Sequence, residues 1–443
     1  MEKESIKVLI GALLNVALLF VAHLFNNQAL ILLSLTIMII IVLATKPKLF
    51  LPLMLFYLPW SPVLKISPGS FSFFTIVTVL YSFKLIFFEK VSISKKATVI
   101  VILLLVLTSI AKIIFAHSFS LDYFVFFMML LFFITYCKNY YNDLSLNITV
   151  YFFTIGIISA CFAALNLMNL PHMQGYINVY TWENKGLVRL SGFYGDSNFY
   201  SAQLLVAITC NLFLLIFEKG RMKIVIVVLL LMLIYCGSLS VSKSFILILA
   251  VILLLWLINV FLSRKRGKLK IFILLCIIII GFLIVGFGLF SDEIEMYMVR
   301  FGMVSNVASL TTGRNDIFEN YLHFFYNNPL MLIFGQGYTD ILYEAVNNRA
   351  SHNTIIQFIY QLGIIGTIIL IEWIINLSKC FKEKIRNKTI IYIGLLVTAF
   401  VGFFTSWLAL DMLFFDDFFY FIIVFFLLRT YIIKCLNEEE KTL

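Results

Sequence analysis

Charge is scarce in this chain of 443 residues: only 13% are Asp, Glu, Lys or Arg, and only five are histidine. The seven cysteines (137, 161, 210, 236, 276, 380 and 435) include no C-x-x-C pair and lie in or beside apolar runs, so they read as small core hydrophobes. No A-x-A cleavage site follows the first apolar run, which starts directly after MEKESIK, so no removable signal peptide is expected. There is no G-x-x-x-x-G-K-[ST] and no glycine-rich loop after a strand, which leaves nothing to cradle ATP. What fills the chain instead is hydrocarbon. It is 62% hydrophobic with 47 phenylalanines and a mean hydropathy of +1.03, against about 45–50% apolar residues in a soluble domain.

Runs such as IFILLCIIIIGFLIVGFGLF approach the ~20 residues a helix needs to cross ~30 Å of hydrocarbon. In that medium only helices or closed barrels satisfy their backbone groups, and continuous rather than alternating runs select helices. The expected fold class is an all-α polytopic membrane protein with about fourteen (12–14) spans. They fall near 8–25, 29–45, 49–62, 69–88, 98–115, 119–137, 146–167, 199–217, 223–239, 243–262, 271–290, 353–377, 390–409 and 413–433, and 1–443 forms one integral membrane domain. With the N-terminus cytoplasmic, alternate connections such as EKGRMK and SRKRGKLK collect the basic residues. All but eight of the 33 Lys and Arg then lie inside, the exceptions being Lys65, Lys112, Lys185, Arg189, Lys243, Arg300, Arg314 and Arg349. The net charge of +10 is therefore topological and does not imply nucleic acid.

This orientation puts all five histidines on the outer face, with the two longest polar segments, a first loop at 168–198 and a large loop at 291–352. Lys84, Lys112, Glu372, Asp416 and Asp417 fall near span ends, where they can snorkel. Without mid-membrane carboxylates or an obvious repeat, a transporter is less favoured.

The first loop ends GLVRLSGFYGDSNFY. Arg189, Asp196 and Asn198 stand before a helix start that Ser197 or Asn198 can cap, and such a start offers N–H donors to an anion. Lys243 lies among hydroxyls in CGSLSVSKSF, a setting that suits a phosphate head group or simply a solvated turn. In the large loop, Ile317, Tyr321, Leu322 and Phe325 form a helical stripe expected to lie on the membrane. A second short helix is expected over 340–345. Arg300 and Arg314 are cations in a net acidic segment, and Arg314 begins a helix, the wrong end for positive charge. His352 heads the apolar run TIIQFIYQLGIIG, where an imidazole can accept a proton near neutral pH or merely cap the helix beside Asn353.

Taken together, TTGRNDIFENYLHFFYNNPLMLIFGQGY, ASHNTIIQFIYQLGIIG and the upstream Arg189-x-x-Gly192…Asp196-x-Asn198 resemble the bacterial O-antigen polymerase and O-antigen ligase superfamily, membrane glycosyltransferases of the GT-C type. SKSF (242–245) resembles the Ser-Arg-Gly element of that superfamily, with Lys243 where arginine is usual; this keeps the charge but not the bidentate fork. The resemblance implies a donor glycan on undecaprenyl diphosphate in the outer leaflet of the plasma membrane, with both termini cytoplasmic. It assigns Arg189 and Arg314 to catalysis with His352 as base or orienter. Arg300, Lys243, Asp196, Asn198 and Asn353 would bind diphosphate or glycan. No cofactor and no metal are implied. Membrane lipids, a chain-length regulator and a flippase are the implied partners. The GRNDIF…GQGY…SHNT pattern is nearer to polymerases of capsule and O-antigen clusters than to ligases. Alternatives are a ligase that transfers glycan to lipid A core, and a flippase or exporter of lipid-linked oligosaccharide.

Overall fold

The computed structural model describes the chain except residues 1–2, 90, 116–120, 175, 178–179, 183–186, 219, 263–290, 303–313, 338–349, 386–389, 414 and 443. The expected span at 271–290, Gly313, the helix expected over 340–345 and Arg349 lie outside the described residues. Among the described residues, ten α-helices precede the large loop: α1 (Lys3–Leu24), α2 (Gln28–Ala44), α3 (Pro47–Tyr57), α4 (Phe73–Phe87), α5 (Lys95–Phe115), α6 (Leu121–Tyr140), α7 (Leu146–Leu167), α8 (Ser197–Phe217), α9 (Met222–Ser238) and α10 (Lys243–Leu262). The loop contributes α11 (Ser291–Gly302), α12 (Arg314–Asn327) and α13 (Pro329–Phe334), and α14 (Thr354–Ser378), α15 (Ile390–Phe404) and α16 (Asp416–Thr442) follow. One hairpin departs from the all-helical expectation: β1 (Tyr180–Trp182) pairs antiparallel with β2 (Leu187–Arg189).

Among the described residues, nine helices are long and apolar enough to cross a membrane, and α2, α4 and α9 are shorter apolar helices. Their outward faces are apolar too. Leu14, Ile40, Ile113, Ile224, Leu254 and Ile368 are each more than half exposed, a distribution that fits a lipid solvent and not water. The expectation of about fourteen spans is thus met only in part. The third expected span, 49–62, is instead a short helix followed by a 3₁₀ turn (Leu58–Val63), with every residue from Leu49 to Tyr57 buried. Proline explains its shortness, because Pro52, Pro59 and Pro62 each remove an N–H donor from the helical ladder.

The core centres on α8. Nearly its whole length is buried, inside a ring that includes α7, α9, α10, α15 and α16. Some of its polar groups are matched locally, as where the Asn211 amide donates to Thr154 Oγ1 at 2.8 Å and to the Ala207 carbonyl at 2.9 Å, which spares that amide nitrogen from being buried unpaired. Two residues expected to snorkel do not: Lys112 and Asp417 are each only 2% exposed, because neighbouring helices cover the ends on which they sit.

A close backbone approach joins α3 to α7 at Gly156, where a Cβ would stand 2.3 Å from the Phe56 carbonyl oxygen and 2.8 Å from its Cα. Any side chain must push the two helices apart. Gly156→Val should therefore destabilise the protein by about 1–3 kcal/mol, an overpacking cost. A lowered midpoint of thermal unfolding in detergent is the measurement, and an unchanged midpoint would refute the contact.

Candidate functional site

The site gathers where α8, α10, α14 and α16 begin. The β1–β2 hairpin delivers Arg189, whose Nε donates to the Ser240 carbonyl at 3.3 Å and whose Nη2 donates to Ser197 Oγ. The adjoining Leu190 N–H bonds the Leu239 carbonyl at 3.0 Å, so this strand end is fastened to the turn between α9 and α10. Asp196 is the N-cap of α8, accepting from the Asn198 N–H at 2.7 Å. That corrects the expectation that Ser197 or Asn198 caps. Freed from capping, the Asn198 side chain accepts from Ser242 Oγ at 3.2 Å and Ser244 Oγ at 3.4 Å. These two hydroxyls flank Lys243, the half-buried first residue of α10. Tyr297 of α11 donates to the Ser238 carbonyl at 3.1 Å, which brings the helix bearing Arg300 to the same turn; the Arg300 side chain is outside the described residues.

The second half is built on α14. Asn353 is its N-cap, with Oδ1 accepting from the N–H groups of Ile355 at 2.9 Å and Ile356 at 3.3 Å. This gives Asn353 a structural role as the cap. His352 adopts a left-handed backbone (φ 46°), which is uncommon outside glycine and characteristic of constrained functional sites. Asp411 holds it there. Its carboxylate accepts from the His352 N–H at 3.0 Å, the Asn353 N–H at 3.1 Å and Ser351 Oγ. The rest of that connection is stitched down as well: Thr354 Oγ1 donates to the Leu410 carbonyl at 2.6 Å, and the Leu413 N–H reaches Gln357 Oε1 at 2.9 Å. The His352 ring takes no hydrogen bond among the described residues.

Asp411 was not singled out from the sequence. It stands in the short polar break of LALDMLFFDDFF between two apolar runs, and an isolated carboxylate there was the available signal.

Arg314 lies between the halves. Burial pulls its guanidinium down from the ordinary value, while the carboxylates of Asp196 and then Asp411 pull it back up. It remains a cation, since arginine does not deprotonate in proteins. Its helix, α12, is fixed by Ile317, Tyr321 and Phe325, which bury against Ile356 and Tyr360 of α14. The stripe expected on the membrane surface is therefore an intramolecular contact; only Leu322 of the four residues faces outward, 52% exposed.

The Gly335-Gln336-Gly337 turn secures the far end of this unit. At Gly363 (φ 67°, ψ 177°) α14 breaks, and its ladder loses continuity. The Gln336 N–H takes the Tyr360 carbonyl and the Gly337 N–H takes that of Gln361, both at 2.9 Å. A Cβ on Gly335 would stand 2.4 Å from the Gly363 nitrogen, and one on Gly363 would stand 2.3 Å from the Ile333 oxygen. Only glycine fits either position.

The geometry defines a multi-span membrane protein with cations and one imidazole collected at the starts of its helices. Residues 227–371 match the family model described as O-antigen ligase, consistent with the O-antigen polymerase and ligase superfamily that the sequence resembles. The match takes in Lys243, Arg300, Arg314, His352 and Asn353 and stops short of Arg189 and Asp411. No curated protein matches the chain.

Removing the Asp411 carboxylate should release His352 from its left-handed conformation. Asp411→Ala is expected to accelerate amide exchange at 352–357 at least tenfold, because charge-assisted hydrogen bonds contribute about 1.5–3 kcal/mol. Unaltered exchange there would show that α14 holds its own start.

Proposed function

We propose that the protein is a polysaccharide polymerase that moves a glycan from undecaprenyl diphosphate onto the sugar of another lipid-linked repeat unit. The observation that carries this reading is Arg314, under the influence of both Asp196 and Asp411: it links the Arg189 loop to the His352 segment. Group transfer from a lipid diphosphate needs cations at the leaving group and a proton acceptor at the attacking hydroxyl. In this scheme Arg189 and Arg314, with Lys243 and Arg300, hold the diphosphate. Asn198 and the helix N-termini add N–H donors and partial positive charge. The acceptor hydroxyl attacks the anomeric carbon, the bond from that carbon to the phosphate oxygen breaks, and the diphosphate leaves with its electron pair. The hydroxyl proton passes to the His352 imidazole. Asp196 and Asp411 position these groups.

The basic connections support an orientation with both termini cytoplasmic and this chemistry on the outer face of a bacterial plasma membrane. The helical architecture with short loop helices suits the GT-C type. A chain-length regulator and a flippase would be its companions. The description of the matching family model favours a second reading, a ligase that hands the finished glycan to lipid A core or another acceptor.

Deleting the gene separates the two. Loss of the polymer ladder with one capped repeat retained supports the polymerase, whereas long lipid-linked chains accumulating would establish the ligase. With purified protein in liposomes, elongation of lipid-linked repeats without a second protein is expected, and failure to elongate alongside transbilayer movement would identify an exporter. His352→Ala and Arg314→Ala should each reduce elongation at least a hundredfold, the scale of a lost general base or charge stabiliser, with membrane levels unchanged. Near-normal polymer from either variant removes that residue from the mechanism. Lys243→Arg should retain most activity if charge alone matters there.

A further inference from the structure

Beside the site, but outside the roles just described, lies a buried carboxylate with neutral partners. Asp417, at the start of α16, is 2% exposed. Its Oδ1 accepts from Gln203 Nε2 of α8 at 2.7 Å, and its Oδ2 accepts from the Tyr194 hydroxyl at 3.2 Å. Tyr194 belongs to the stretch that carries Arg189, Asp196 and Asn198. Its hydroxyl sits at a crowded junction: it accepts from Gln203 Nε2 at 2.7 Å, shares its one proton between Asp417 and the Leu58 carbonyl at 3.0 Å, and lies 3.3 Å from Ser61 Oγ. The ring stacks near Phe199, which in turn meets Phe415 at 4.4 Å between centroids. A buried carboxylate is costly unless its hydrogen bonds do something no apolar residue can do. Here they tie the anion-facing loop to α8 and α16 at one point.

We propose that Asp417 is a positioning residue: through Tyr194 it sets the place of the 189–198 loop and thereby the affinity for the lipid diphosphate. This rests on the reading given under the preceding heading. Asp417 touches no reacting atom in that scheme, and it acts at a distance from His352, which Asp411 holds separately.

The test uses the full-length protein in nanodiscs, with amide exchange and binding of a short-chain polyprenyl diphosphate measured in parallel. For Asp417→Ala, exchange over 189–198 should rise about tenfold, the size of a lost buried hydrogen bond, while 352–357 changes less than twofold. The dissociation constant should rise by a similar factor. Asp417→Asn keeps an acceptor oxygen and should recover both to within about threefold, and Tyr194→Phe should resemble the alanine variant. Unchanged exchange, uniform acceleration across the protein, or an asparagine variant as loose as alanine would each overturn the proposal. If the wild type binds no polyprenyl diphosphate, the functional reading falls, and the exchange arm still decides the role of Asp417.

Discussion

A backbone in hydrocarbon has no water to satisfy it, so every break in a helix must find its partners within the protein. The break at Gly363 is where that constraint shapes the rest. A kink there strands the carbonyls of Tyr360 and Gln361, and the N–H groups of Gln336 and Gly337 take them. Without that docking the kink would leave two buried acceptors unpaired, at about 1–3 kcal/mol each. The exchange fixes the end of α13, hence the course of α12, hence the position of Arg314. One backbone requirement deep in the bundle thus governs the placement of a cation at its end.

The connection between α15 and α16 performs the complementary task. Asp411 anchors the segment with His352, and six residues later Asp417 anchors the loop with Arg189. Both carboxylates come from one short stretch, which is itself pinned by Thr354 and Gln357. The spacing between the two halves of the site is therefore set by a connection that contributes no expected catalytic group. Such bracing suits a reaction in which an error of about 1 Å between nucleophile and electrophile costs about a hundredfold in rate.

Most of the spans could be read from composition because lipid imposes one rule on long segments. The glycine, arginine and histidine motifs were also legible, since each carries a local backbone or charge demand: Gly335 and Gly363 face each other at distances no side chain permits, and His352 needs a left-handed turn. What escaped was long-range pairing. Nothing in LALDMLFFDDFF says which segment Asp411 will hold, because its partners lie some sixty residues away. The amphipathic stripe of α12 was visible, but periodicity reports only that one face is apolar, and the α14 helix rather than lipid covers Ile317, Tyr321 and Phe325. Likewise 49–62 reads as a span in the sequence, since full burial and lipid contact demand the same residues.

The placement of Arg314 carries the last step. A half-buried cation at a helix start opposes the helix dipole and is also desolvated, so it calls for compensation. Two carboxylates are near, yet among the described residues the guanidinium forms no ion pair with either. Asp196 accepts from the Asn198 N–H, and Asp411 from those of His352 and Asn353. Asp196 caps α8, and Asp411 holds the segment just ahead of α14. They moderate the charge of Arg314 without cancelling it, leaving a cation whose fork remains open to an incoming anion. A fully paired arginine would be more comfortable in the folded protein and of less use to a diphosphate.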